Sequence, residues 1–273
     1  MDDTTVLITG AAGRIGTMLR PRLARPGRVL RLLDTAEQER PGRGEPVELV
    51  TGSITDPDLV RRACVGVDAV VHLGGLSGEA PWPDIVDVNI TGTQVVLEAA
   101  RTTGVTRVVL ASSNHAVGFR SRDEAGEDGL PADVAAAPDT YYGVGKAAME
   151  ALAALYHARF GMDVPCLRIG TCAATPGSTR GLATWLSPDD CGRLVEACLT
   201  APSPGFRTVW GISHNTRRWW SLAAGAQLGY HPEDDSEAYA GPLLAAEGEP
   251  DCADPVHRLV GGTFCSDPLG GRS

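Results

Sequence analysis

The chain has 273 residues, 43% of them hydrophobic, and a formal net charge of -10, which suits one large domain with a sizeable core and argues against nucleic acid or an anionic membrane as partner. No apolar run reaches the ~18 residues of a membrane helix, and the first strand starts too early to leave room for a signal peptide. The 7 cysteines form no C-x-x-C pair and no disulfide framework, and the histidines have no zinc spacing, so a soluble cytoplasmic protein with reduced thiols and no metal is expected.

Thr5 to Thr9 is a short apolar, β-branched run that passes through Gly10-Ala-Ala-Gly13-Arg14-Ile15-Gly16 into a helical pattern ending at Leu23. This reads as strand, glycine turn, helix. Glycines let the backbone approach a pyrophosphate, whose charge the helix N-terminus meets. The spacing is G-x-x-G-x-x-G, weak as a bare pattern, and its place after the first strand gives it weight. Arg28 to Leu33 is the second strand and closes on Asp34. A carboxylate there can accept from both adenosine ribose hydroxyls and repels a 2′-phosphate, which favours NAD over NADP; the alternative is an ordinary strand-end aspartate. Arg20, Arg22, Arg25, Arg28 and Arg31 are expected to form mostly the solvated face of the first helix and its loop.

Val47 to Val50 is a third strand, Asp58 to Cys64 a helix, and Asp68 to Leu73 a fourth strand running into Gly74-Gly75-Leu76-Ser77. Such alternation marks βαβ units and a parallel sheet, whose ligands lie beyond the carboxyl ends of the strands. Ser77 lies on that edge, as a ligand contact or as a plain turn serine. His72, inside the strand, reads as a buried, hydrogen-bonded histidine rather than a catalyst. Pro83 to Ala100 is a long helical pattern holding Asn89 and Gly92, poor helix-interior residues whose presence points to a bend or a polar task.

Arg107 to Ala111 is the fifth strand and delivers Ser112-Ser113-Asn114-His115 to the ligand edge. Arg120 to Pro138 reads as a surface loop. Val164 to Ile169 is the sixth strand, Gly170-Thr171-Cys172 again marks the ligand edge, and Ala173 to Leu186 is loop-like. Ser187 caps a helix with Pro188 in its first turn. Thr208 to Trp210 is a seventh strand, Trp219 to Leu228 a helix carrying a core tryptophan pair, and the tail from His231 wraps the body. The expected fold is α/β: a Rossmann-type doubly wound parallel sheet with a small C-terminal substrate-capping region. It forms a single domain, 1–273, with an NAD-binding core at 1–170 and a mainly substrate-binding and capping part at 171–273.

Lys146 is the only lysine, and its compact ammonium is not interchangeable with guanidinium. Tyr142 stands four residues earlier, on the same face if the segment is helical. A phenol titrates near ~10 in water and a neighbouring ammonium lowers that value, which makes Tyr142 a candidate general base. Alone, the pair is also compatible with chance spacing on an amphipathic helix.

Taken together, Thr9-Gly-Ala-Ala-Gly-Arg-Ile-Gly16, Asn89-Ile-Thr-Gly-Thr93, Ser112-Ser113 and Tyr142-x-x-x-Lys146 resemble the extended short-chain dehydrogenase/reductase superfamily. Within it, Val71-His-Leu-Gly-Gly-Leu-Ser77, Ala111-Ser-Ser-Asn-His-Ala-Val-Gly118, Leu167-Arg-Ile-Gly-Thr-Cys172, Thr184-Trp-Leu-Ser-Pro-Asp-Asp190 and Gly261-Gly-Thr-Phe264 look like uronate dehydrogenases, over essentially the whole chain. The resemblance implies NAD-dependent oxidation of the anomeric carbon, C1, of D-galacturonate or D-glucuronate to an aldaro-lactone. It makes Tyr142 the base, Lys146 the group that lowers its pKa and binds the nicotinamide ribose, Ser113 the residue that orients the C1 hydroxyl, and Asn89 part of a proton relay.

The resemblance further implies cofactor contacts at Gly10, Gly13, Arg14, Ile15, Gly16, Asp34, Ser53, Ile54, Leu73, Tyr142 and Lys146. Substrate contacts fall at Ser77, Ser113, Asn114, His115, Tyr142, Thr171 and Arg180. Ser53 stands where the family commonly has an aspartate near the adenine, a departure that bears on NAD affinity. A homo-oligomer paired through the two long helices is expected from the superfamily. For Arg180 the residue type agrees, because a guanidinium fork suits a carboxylate; the alternative is a solvated loop arginine. The rival functions are a nucleotide-sugar epimerase or dehydratase of the same superfamily and a non-catalytic NAD sensor.

Overall fold

A computed structural model describes residues 4–271. One sheet of seven parallel strands carries the molecule: β1 (Thr4–Thr9), β2 (Arg28–Asp34), β3 (Val47–Thr51), β4 (Ala69–His72), β5 (Arg107–Leu110), β6 (Val164–Ile169) and β7 (Phe206–Gly211). Their order is 3-2-1-4-5-6-7. The order reverses between β1 and β4, so a crevice opens beyond their carboxyl ends. The last strand comes from beyond residue 170.

Strands covered on both faces read as unbroken apolar runs, and β1 shows how alternation divides them. Val6 and Ile8 pack with Leu19 and Leu23 of α1 (Arg14–Leu23) and with Leu194 of α5 (Pro188–Thr200). Leu7, pointing the other way, packs with side chains of α2 (Pro57–Cys64), α3 (Gly92–Thr102) and α4 (Tyr141–Phe160). Helix starts follow local chemistry: Asp56 caps α2, Thr140 Oγ1 accepts from Gly143 N at 3.0 Å for α4, and Ser187 Oγ accepts from Asp190 N at 2.9 Å for α5. Gly161, left-handed at φ 69, ends α4.

The long pattern expected from Pro83 to Ala100 is not one α-helix. A short turn, Trp82–Asp84, leads into a π-helical segment, Ile85–Thr91, before α3 begins. The bend expected from Asn89 and Gly92 is this widened turn. Three other expectations are corrected. Trp219 and Trp220 lie outside any helix, which spans only Ala223–Ala226. Trp219 O and Ser221 N are instead bonded to Leu130 N and O at 2.8 and 3.0 Å, so their backbone belongs to a strand-like bridge. The tryptophan pair is core, with Trp220 stacked on Trp210 at 4.3 Å.

The five arginines are not a bare solvated face, since Arg20, Arg22, Arg25, Arg28 and Arg31 each pair with a carboxylate, and Arg28 is buried against Glu196. The stretch from Ala173 to Leu186 also holds a helical turn, Gly181–Thr184, and a strand, Trp185–Leu186, paired with Thr171–Cys172. No described helix is long and apolar enough to cross a membrane, and no described group of side chains could hold a metal ion.

Candidate active site

The turn from β1 into α1 is built for close approach. Gly10 has φ +69, and a Cβ there would lie 2.7 Å from Gly74 N; a Cβ on Gly16 would lie 2.5 Å from Ala11 O. Only glycine fits either place. The first turn of α1, with Arg14 and Ile15, carries no acidic residue and no side-chain cap, so the positive end of the helix is not neutralised from within. Asp34, at the end of β2, accepts from Ala12 N and Ala36 N, both at 2.9 Å, which sets the carboxylate against the glycine turn. Ser53 Oγ sits 2.8 Å from Thr55 Oγ1, inside its own turn. Ile54 is buried and packs against Gly74 and Gly92, while Leu73, half-buried, packs on the core beside β1. Glycine cradle, free helix end and strand-end carboxylate together fit a dinucleotide.

The proton-transfer candidates meet where β5 ends and α4 begins. Ser113, Tyr142 and Lys146 are all buried. Lys146 Nζ lies 5.5 Å from the centre of the Tyr142 ring and donates to Ala111 O at 2.6 Å. Burial pushes the Tyr142 hydroxyl up to about 12, against the Ser113 hydrogen bond that favours its ionised form and with the Asp139 charge adding to the rise. Burial likewise pushes Lys146 down to about 8, with Glu150 opposing. In this chain burial therefore outweighs the help that the ammonium alone would give the phenol.

Asn89, in the π-helical segment, accepts from Leu76 N at 2.7 Å and donates to Leu76 O at 3.0 Å. Its amide thus clamps the backbone immediately before Ser77, which is exposed at the crevice. His72 is fully buried, as its place in the strand implies, and burial together with the Lys146 charge pushes it down to about 3. A neutral ring completes one ordered chain: Gly74 N donates to Thr9 Oγ1, Thr9 donates to Nδ1, Nε2 donates to Thr93, and Thr93 donates to Asn89 O.

The C-terminal segment touches three of the expected sugar contacts, Asn114, His115 and Arg180. Asn114 Nδ2 donates to Val260 O at 2.8 Å, and Ser113 Oγ donates to Asn114 Oδ1 at 3.3 Å. His115 stacks on Phe264 at 4.1 Å and meets the Tyr142 ring edge-on at 5.7 Å. Thr171, exposed, sits 3.1 Å from Thr184 Oγ1 across the small strand pair. Arg180 is not a solvated loop residue. Its Nη1 donates to Val256 O and Leu259 O at 2.7 and 3.1 Å and its Nη2 to Val260 O, and burial pulls it down to about 10. Among the described residues, no hydrogen bond takes Nε or the second Nη2 hydrogen. A cavity of ≈ 250 Å³ lies beside it, lined also by Arg122, Thr184 and Trp219.

Glu79 and Asp139 at the site carry no sequence signal read above, and Phe264 is read only as part of a resemblance motif. Glu79 is buried and accepts from Tyr142 N at 2.9 Å and from Gly270 N at 2.8 Å, tying the start of α4 to the tail. Asp139 contacts His115, and Phe264 covers it. The signal for Phe264 is its place in the Gly261-Gly-Thr-Phe264 motif; Glu79 and Asp139 look like any acidic loop residue.

Residues 6–186 match the model of the NAD dependent epimerase/dehydratase family, and the chain belongs to that family. The uronate dehydrogenase of Pseudomonas syringae pv. tomato is 39% identical over 98% of this chain and 95% of the relative. That of Agrobacterium fabrum is 40% identical over 97% of each. The solved structure of a mutant uronate dehydrogenase from Agrobacterium tumefaciens, complexed with NAD, matches with a TM-score of 0.90 at 38% identity and covers 99% of both chains. Within its family, this chain groups with the uronate dehydrogenases.

Proposed function

We propose that the protein is an NAD-dependent uronate dehydrogenase, an oxidoreductase that oxidises C1 of D-galacturonate or D-glucuronate to the aldaro-lactone. The observation that carries this reading is the convergence of Ser113, Tyr142 and Lys146 at the carboxyl edge of β5, across the crevice from the glycine turn and Asp34. When bound, oxidised nicotinamide supplies the hydride acceptor and a fixed positive charge. Tyr142 takes the proton of the C1 hydroxyl, Ser113 holds that hydroxyl by hydrogen bonding, and Lys146 stabilises the phenolate. Gly10, Gly13, Arg14, Ile15, Gly16, Asp34, Ser53, Ile54 and Leu73 form the cofactor side. Ser77, Asn114, His115, Thr171 and Arg180 form the sugar side, with Arg180 on the carboxylate. Asn89 acts through the Leu76 backbone that it clamps.

The reading extends to a cytoplasmic homo-oligomer. Free thiols at the described cysteines support the first part, and Leu155 and Phe160, exposed on α4, support pairing through that helix. The epimerase or dehydratase alternative is supported only at the level of the wider family. D-Galacturonate labelled with carbon-13 at C1, incubated with the protein and NAD⁺, should lose its anomeric signals as a lactone carbonyl signal and an equivalent amount of NADH appear. A C4-epimerised sugar with no net NADH would replace the proposal with the epimerase reading.

A further inference from the structure

Asp139 lies in the loop just before α4, and its side chain has no solvent exposure. Its Oδ2 stands 2.6 Å from His115 Nδ1, and its Oδ1 accepts from Thr140 Oγ1 at 2.9 Å. The backbone leaves room for it: a Cβ on Gly118 or on Gly261 would run into the carboxylate, and one on Gly143 would lie 2.8 Å from Oδ1. Three glycines from three segments thus surround one buried acid, more than an incidental loop contact requires.

A carboxylate only accepts hydrogen bonds, so the His115 nitrogen facing it carries the proton, and in the neutral ring the other nitrogen is then a lone-pair acceptor. The ring is held on its remaining sides by Phe264, stacked at 4.1 Å, and by Tyr142, edge-on at 5.7 Å. The backbone N–H of His115 is also fixed, donating to Ser113 Oγ at 3.2 Å. His115 keeps 15% of its side-chain surface exposed. Asp139 occupies the Nδ1 side, and among the described residues no hydrogen bond engages Nε2.

We propose that Asp139 is a positioning residue, whose carboxylate holds the Nδ1 proton of His115 so that Nε2 stands as an acceptor for a hydroxyl group of the sugar acid. The proposal rests on the uronate reading for the identity of the ligand and on geometry alone for the tautomer. A pyranose offers hydroxyl donors around its ring, and an acceptor fixed by a buried acid distinguishes a hydroxyl pointing at it from one pointing away. The Asp139 charge is felt at Arg180 and Cys265 as well as at Tyr142. The Asp139 charge disfavours the Tyr142 phenolate. Its removal alone would therefore help the base, so a loss of activity on neutralising it comes through His115 or through the packing around the acid, which the His115→Ala background separates.

The test has two arms. Nitrogen-15 spectra of the wild-type chain at pH 8, with the His115 signals assigned by their disappearance in His115→Gln, should show Nδ1 protonated and Nε2 not. A ring protonated at Nε2, neutral or cationic, overturns the proposal whether or not uronates are turned over. In the kinetic arm, Asp139→Asn should raise the KM for uronate about tenfold with a smaller change in kcat, the loss expected for one misdirected hydrogen bond. In a His115→Ala background the same substitution should change KM little. An equal effect in both backgrounds would make Asp139 merely structural. Should Asp139→Asn fail to fold, the wild-type spectrum still decides the tautomer. A correct tautomer with no uronate turnover would fault the functional reading and leave the geometry standing.

Discussion

Replacing Asp34 with Asn tests the cofactor side with an internal control. The carboxylate accepts from Ala12 N and Ala36 N, both at 2.9 Å. Asn keeps the shape and one acceptor oxygen but loses the charge, so damage to the glycine turn weakens NAD⁺ and NADP⁺ alike. The charge, together with the hydrogen bond to the 2′-hydroxyl that NADP⁺ lacks, discriminates between them, and the charge sets the smallest expected change. A 2′-phosphate carries about -1.5 to -2 at neutral pH, and a unit charge ~4 Å away in water-like dielectric repels each unit by ~1 kcal/mol. Loss of the charge should therefore relieve NADP⁺ by about 1.5–2 kcal/mol, a factor of about 10 to 30. The assay is kcat/KM for both cofactors at saturating uronate, wild type against Asp34→Asn. The expected result is an NAD⁺/NADP⁺ ratio that falls by at least that factor. An unchanged ratio would show that Asp34 is only a strand-end cap of the turn.

The pH dependence of catalysis follows from the two buried groups at the base. Tyr142 must lose its proton and is pushed up to about 12, while Lys146 must keep its own and is pushed down to about 8. The competent fraction, phenolate with ammonium, grows about tenfold per pH unit below 8 and levels off above it, because further phenolate is then gained only as ammonium is lost. A flat kcat/KM from pH 6 to 8 would contradict this, and Lys146→Met should cut the neutral-pH rate by about 100-fold or more, within the usual range for a proton-transfer group.

His72 makes a stability prediction. Its pKa falls from 6.5 to about 3 on folding, so the unfolded chain binds the extra proton and stability is lost as pH drops from 6.5 towards 3, by ~1.4 kcal/mol per unit. Urea unfolding across that range should give a shallower slope for His72→Asn than for the wild type; parallel slopes would mean that the ring is charged when folded. Arg180→Ala should raise the KM for uronate by about 10-fold or more with kcat less affected, and an unchanged KM would leave Arg180 as a strut for the carbonyls of Val256, Leu259 and Val260.

The parallel sheet is legible in the sequence because strands buried on both faces must be apolar and β-branched, and Val6-Leu7-Ile8 or Val108-Val109-Leu110 can hardly be anything else. The glycine turn is legible because only glycine satisfies the φ of Gly10 and the crowding at Gly16. Asn89 shows what sequence can do in part: its poor helix propensity marks a break, but that the break is a π-helical turn clamping Leu76 depends on packing from another segment. The helix expected at Trp219 fails because long-range bonds to Leu130 claim its backbone, which no local pattern announces. Asp139 and Glu79 are hidden for the same reason, since what distinguishes them from solvated acids is a partner chosen by the fold. Arg180 enters the candidate site through the resemblance and its residue type, while the three carbonyls that hold it carry no local signal.

Oxidation of a sugar acid at C1 by NAD⁺ is the activity proposed for this chain. The most direct measurement is NADH formation, followed by absorbance, with the purified protein, NAD⁺, and D-galacturonate, D-glucuronate, D-galactose and a UDP-sugar in parallel. NADH from one or both uronates and none from neutral galactose is the predicted result, since it requires both the oxidation and recognition of the carboxylate. No NADH from either uronate, with conversion of the UDP-sugar, would contradict the account.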